Sequence, residues 1–214
     1  MSQVRVKICG ITSQKDLDTA VQAGADAVGF VVGVPQSKRN LSIHKADTLI
    51  ESTPVFVDSV VVTVPKDPYH LRKICEEVTP TSIQIHGGKN LYKDIGERRV
   101  NTRMIGAIKA KDGLSEREIV RFTRLFDAVL IDSHVPGKHG GTGRVHDWGI
   151  SKRVRDLLYP KPLVLAGGLS PDNVKEAIQT VRPYAVDVST GVEKRPGIKD
   201  PEKVTKFIKK TKEV

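Results

Sequence analysis

The sequence predicts an α/β protein that closes as a single (β/α)8 barrel spanning residues 1–214. Three observations lead there. Short apolar runs alternate with amphipathic stretches eight times, no long Pro/Gly linker or low-complexity tract divides the chain, and 214 residues match the compact end of the barrel size range. Alternation of this kind requires parallel strands joined by crossover helices. A doubly wound open sheet would have fewer strands and a diagnostic glycine turn after the first.

The expected strands cover 4–9, 26–32, 55–64, 81–86, 103–109, 127–132, 162–166 and 185–189. Between them, helices are expected over 13–23, 43–51, 67–78, 115–125, 170–181 and 201–212, with weaker signals near 90–98 and 150–157. Several helix starts carry their own caps. Thr12 and Ser13 precede the first helix with Asp16 close behind, and Ser170-Pro171 and Asp200-Pro201 each place a cap residue before a proline. Gly24 marks the first helix's end.

Alternation within the strands assigns faces. Val6 and Ile8 oppose Lys7 and Cys9, Ile83 and Ile85 oppose Gln84 and His86, and Val186 and Val188 oppose Asp187 and Ser189. The apolar sets should face the helices, which turns the polar sets into the barrel, where strand C-termini carry the chemistry.

Cys9 ends the first strand. Alone it reads most simply as a small buried hydrophobe, yet at this position it would project into the site. Lys7, on the same face, is a candidate cation to raise its thiolate fraction; the alternative is an ion pair with Asp187. Asp132 ends the sixth strand, where desolvation raises a carboxyl pKa and suits a general acid; a loop hydrogen bond is the plain alternative. Asp127 starts the same strand and is expected to be structural. Gly167 and Gly168 leave the seventh strand, and Ser189, Thr190 and Gly191 leave the eighth. Glycine loops in these two units are where many barrels hold phosphate. The long connection 133–146, which contains Gly141, Thr142 and Gly143, has the length of a lid or binding loop and joins the expected phosphate set. Arg39, after the second strand, could hold a planar carboxylate in bidentate fashion or be one of many exposed cations. His86 is expected in the site wall.

Composition narrows the function classes. A net charge of +10 favours anionic partners, but the basic residues are scattered, and the one cluster, Lys203 to Lys212, reads as the solvated face of a terminal amphipathic helix. No aromatic platform accompanies it, so no nucleic-acid partner is expected. No apolar run approaches a membrane span, and no signal-peptide core follows Met1, so a cytoplasmic protein without a membrane partner is expected. Two cysteines exclude a disulfide scaffold and a Cys-rich metal site.

A set of motifs occurs in order along the chain: Lys7-Ile8-Cys9-Gly10-Ile11-Thr12, Ser37-Lys38-Arg39, Gln84-Ile85-His86-Gly87, Gly140-Gly141-Thr142-Gly143 with Asp147-Trp148, Leu165-Ala166-Gly167-Gly168-Leu169, Asp187-Val188-Ser189-Thr190-Gly191-Val192-Glu193 and Pro196-Gly197-Ile198-Lys199-Asp200. Together they resemble the phosphoribosylanthranilate isomerase family over essentially the whole length. The resemblance implies a cofactor-free, metal-free Amadori rearrangement of a small phosphoribosyl substrate, with Cys9 as general base, Asp132 as general acid and Arg39 on the anthranilate carboxylate. Lys7, His86 and Asp187 are expected to bind substrate, and a homodimer is compatible with this reading. Ser189-Thr190 stands where the family usually has two serines, and His146 where a phenylalanine is common. The rivals are another phosphosugar isomerase or epimerase on a related barrel, which the cysteine argues against, and a non-catalytic phosphate-ligand or RNA-binding protein.

Overall fold

Eight parallel strands hydrogen-bond in sequence order and the first returns to the last. β1 (Arg5–Cys9) pairs with both β2 (Ala27–Val32) and β8 (Ala185–Val188), and β3 (Asp58–Thr63), β4 (Ser82–His86), β5 (Arg103–Lys109), β6 (Ala128–Asp132) and β7 (Leu163–Leu165) complete the ring. The computed structural model describes residues 3–87, 102–110, 115–132 and 147–214. Helices α1 (Gln14–Gln22), α2 (Ile43–Glu51), α3 (Pro68–Glu77), α4 (Glu116–Thr123), α5 (Trp148–Leu158), α6 (Val174–Val181) and α7 (Pro201–Lys212) run between or after the strands. The barrel fold is therefore as expected. The helix expected near 90–98 lies outside the described residues.

The strand faces separate as the alternation predicts. Val6, Ile8, Ile83, Ile85, Val186 and Val188 join one large apolar layer with helix residues such as Leu17, Leu71 and Phe207. Two smaller clusters fill the interior. Cys9, Val31, Val60 and Val62 form one, and Ala107, Leu130, Val164, Ala166 and Ala185 the other. Burying a large aliphatic side chain contributes ~1.5–3 kcal/mol, so the outer layer supplies most of the apolar driving force. The interior can therefore carry polar groups.

Helix caps follow the sequence with one exception. Ser13 accepts the Asp16 N–H, and Asp200 accepts the Glu202 and Lys203 N–H groups ahead of Pro201. Ser170-Pro171, however, does not open a helix. α6 starts at Val174, because Asn173 folds back to accept the Ser170 N–H at 2.8 Å and to donate to the Gly168 carbonyl at 2.9 Å. The residues between form a turn that braces the glycine loop. The third strand is also shorter than its apolar run. Phe56 has φ 72°, a left-handed conformation incompatible with an extended strand, so Val55–Val57 turn before β3 begins.

Two small elements escaped the apolar pattern. Asn40 and Leu41 extend the sheet beside β2, and β9 (Glu193–Arg195) with β10 (Ile198–Lys199) forms a hairpin after β8. Both are too short and too polar to announce themselves. Both matter, because Arg39 immediately precedes the first and Glu193 and Lys199 lie in the second.

Candidate active site

Cys9 and Asp132 are the last residues of β1 and β6. Because all the strands are parallel, both stand on the same rim, three strand positions apart by the shorter way round the ring. Asp132 is half-buried. Cys9 is 7% exposed, on the interior face beside Val31, Val60 and Val62. It is not sealed among aliphatics, however. A side chain at the neighbouring Gly29 would stand 2.9 Å from the Cys9 Sγ and 3.1 Å from the Lys7 Nζ. The missing side chain gives the thiol and the ammonium their shared space.

The electrostatics of Cys9 differ from the simplest sequence expectation. Burial pushes the thiol pKa up, and this outweighs the opposing pull of Lys7 and Lys199. The neighbouring cations moderate the shift without producing a resting thiolate. Lys7 stays charged: burial lowers its pKa, but Asp187 at 2.8 Å and the nearby Cys9 more than restore it. Lys7 thus forms the ion pair with Asp187, and its pull on the thiol does not overcome burial.

Lys7 also donates to the Gln84 Oε1 at 3.1 Å, and the Gln84 Nε2 lies 2.8 Å from the His86 Nε2. His86 ends β4 half-buried, and burial together with the Lys7 charge pushes its pKa down to about 4. It is neutral at physiological pH.

Arg39 reaches the same rim. Its Cδ lies 2.6 Å from where a side chain on Gly10 would stand, so the stem runs over the end of β1. Its Nε and Nη2 donate to the two Glu193 carboxylate oxygens at 2.7 and 2.5 Å. That bidentate pair uses the Nε–Nη2 side of the guanidinium, and among the described residues no hydrogen bond from Nη1 is seen. Burial pushes the Glu193 pKa up, but Arg39 and Lys199 outweigh it and hold the carboxyl below its usual range.

Sequence reasoning gave no role to Glu193 or Lys199. The fully buried Lys199 ammonium donates to the Cys9 carbonyl at 2.6 Å, the Ser189 carbonyl at 3.3 Å and Glu193 at 3.1 Å. Burial lowers its pKa more than Glu193 and Cys9 raise it. One cation thus ties the ends of β1 and β8 to the carboxylate that aims Arg39. The motif around Lys199 was visible, but no periodicity reveals its partners.

The two glycine loops meet. Gly167 and Gly168 have φ of 85° and 67°, conformations that favour glycine. A side chain on Gly191 would overlap the Leu169 carbonyl oxygen, so the loops after β7 and β8 are in backbone contact. Ser189, Thr190 and Gly191 then enter a short 3-10 turn at Thr190–Val192. Gly141, Thr142 and Gly143 lie outside the described residues. Among those described, no three His, Cys, Asp or Glu side chains gather to hold a metal, and no helix is long and apolar enough to cross a membrane.

Known proteins share this architecture. The family model for N-(5'-phosphoribosyl)anthranilate (PRA) isomerase matches residues 6–210. A curated relative from Methanothrix thermoacetophila, named N-(5'-phosphoribosyl)anthranilate isomerase, is 43% identical over 210 residues, covering 97% of this chain and 98% of its own. The solved phosphoribosyl anthranilate isomerase of Thermotoga maritima superposes with a TM-score of 0.85 at 40% identity, over 99% of this chain and all of that one. Two further solved structures cover the two chains equally fully. One, at TM-score 0.79 and 38% identity, is a complex of the isomerase with reduced 1-(o-carboxyphenylamino)-1-deoxyribulose 5-phosphate. The other, at 0.79 and 37%, shows monomers generated from the dimeric T. maritima enzyme. The chain belongs to the N-(5'-phosphoribosyl)anthranilate isomerase family.

Proposed function

We propose that this protein isomerises N-(5-phosphoribosyl)anthranilate to 1-(2-carboxyphenylamino)-1-deoxyribulose 5-phosphate, a step of tryptophan biosynthesis. The observation that carries the reading is the gathering of Cys9, Asp132, Arg39 and both glycine loops at one rim of the barrel. A substrate bearing a carboxylate at one end and a phosphate at the other suits such a rim.

The residues divide the reaction between them. Asp132 gives a proton to the furanose ring oxygen, the C1′–O bond breaks, and the anilino nitrogen lone pair forms the C1′=N bond of a protonated Schiff base. That cation acidifies the C2′ proton, which Cys9 removes as thiolate to leave an enolamine. Tautomerisation carries C1′ down to the amine level as C2′ rises to the ketone, so no electrons enter or leave. A base and an acid on separate strands can address the two sides of one sugar.

Gly167, Gly168, Ser189, Thr190 and Gly191 offer backbone donors to the phosphate, with Gly141, Thr142 and Gly143 completing the set. Arg39 offers its open end to the anthranilate carboxylate, while Asp187 and Lys7 face the sugar. Phosphorylated substrates are retained inside cells, which supports a cytoplasmic location. A second copy of this chain as partner rests on the dimeric T. maritima relative.

The direct test is to follow anthranilate-type fluorescence after adding freshly made substrate to the purified protein. Rapid fluorescence loss that scales with enzyme supports the reading. A signal that decays only at the substrate's own rate sinks it.

A further inference from the structure

Gln84 takes no part in the reaction as written, yet it is 2% exposed at the centre of a polar chain that crosses the barrel interior. The donor and acceptor roles along that chain leave no freedom. The Lys7 ammonium has only donors, and it is pinned at its other side by Asp187 at 2.8 Å. The Gln84 atom facing Lys7 must therefore be the carbonyl oxygen, which fixes the orientation of the amide. The atom facing His86 is then the amide nitrogen, a donor only. The His86 Nε2, 2.8 Å away, must accept. A neutral imidazole that accepts at Nε2 carries its proton on Nδ1, and an imidazolium could not accept at all.

We infer that Gln84 is a positioning residue that locks His86 as the neutral Nδ1–H tautomer, so that His86 offers the bound sugar a hydrogen-bond donor and leaves proton donation to Asp132. The inference rests on the proposed reaction for its purpose, though not for its geometry. Burial and the Lys7 and Lys109 charges favour the uncharged His86 ring and together outweigh Asp187, which favours the charged one. An ordinary imidazole at this rim would be substantially protonated near pH 6.5 and would compete with Asp132 as the acid. The opposite tautomer would carry a lone pair on Nδ1 in place of that donor. A neutral donor can stabilise negative charge developing on an oxygen of the opened sugar without releasing its own proton.

The test is nitrogen NMR of the histidine side chains in the full-length, ligand-free protein between pH 6 and 8. His86 should show one tautomer throughout, with Nδ1 protonated and Nε2 bare. A proton on Nε2, or a titration centred near pH 6.5, would overturn the inference. Gln84→Glu retains the acceptor for Lys7 but removes the donor, so a proton should appear on Nε2 and kcat should fall about tenfold or more, with KM moving less. Gln84→Met removes both roles at similar volume and should yield a mixture of tautomers. An unchanged His86 spectrum in either folded variant would overturn the lock. If the extra charge of the Glu variant prevents folding, the wild-type spectrum and the Met variant still decide. Because the spectrum needs no substrate, the expected tautomer in a protein without turnover would sink the proposed reaction and leave the lock standing.

Discussion

The two rims of this barrel use the same residue types to opposite ends. On the rim where the strands begin, Asp26 accepts the Val6 N–H at 2.7 Å and pairs with Lys212 at 2.7 Å, while Asp127 accepts the Met104 N–H at 2.8 Å. Each carboxylate fastens one strand to the start of its neighbour. On the rim where the strands end, Asp187 and Lys7 form a pair whose side chains are only 10% and 5% exposed, and the pair adjoins a thiol. The difference is where the charges look. Asp26 and Asp127 are used on backbone donors and, for Asp26, on Lys212, whereas Lys7, Arg39 and Lys199 gather three positive charges about Asp187 and Glu193 beside the ends of β1 and β8.

The largest effects should come from the functional rim. Cys9→Ala and Asp132→Asn should each reduce kcat by about 10²–10⁴-fold, the range for one general acid or base, while product binding measured by titration stays within a few-fold. Near-native turnover in either variant would remove that residue's assigned role. Next in size is Glu193→Gln. It keeps the shape but loses the charge that holds Arg39, and the expected loss is about tenfold in kcat/KM, carried mainly by KM. An unchanged KM would mean that Arg39 needs no guide.

The pH dependence sharpens the same contrast. Since the buried thiol has a raised pKa, its thiolate fraction should still be growing where an ordinary thiol is already half ionised, read as the pH dependence of Cys9 alkylation in the Cys75→Ala protein. An alkylation rate that levels off below that point would show that the neighbouring cations outweigh burial. The smallest catalytic effect belongs to the other rim. Asp26→Ala should cost roughly 1–3 kcal/mol of stability, seen as a lower Tm, with kcat within about twofold of the parent. A large fall in kcat would show that the rims are not separable.

How much of this was legible in the sequence varies with the kind of signal. Strand order and facing followed from period-two patterns, because water sorts side chains by polarity wherever one face is buried. The strand-end positions of Cys9 and Asp132, which make them candidate site residues in a fold whose strand ends do chemistry, could be read from the apolar runs that they close. Glu193 and Lys199 could not. Their partners, Arg39 and the Cys9 carbonyl, are distant in sequence, and polar pairing leaves no periodic trace. The resting state of Cys9 was likewise hidden, since it depends on how far burial outweighs the neighbouring cations. Phe56 misled for another reason: its backbone is left-handed, while its side chain looks like strand.

The Lys199 ammonium also bears on biosynthesis. It grips the Cys9 carbonyl from the far end of the chain, so a ribosome that has released only the first seven strands has made the proposed base but not its anchor. The emerging polypeptide would stay chemically silent until its final hairpin docks, which would make activity a reporter of completed synthesis.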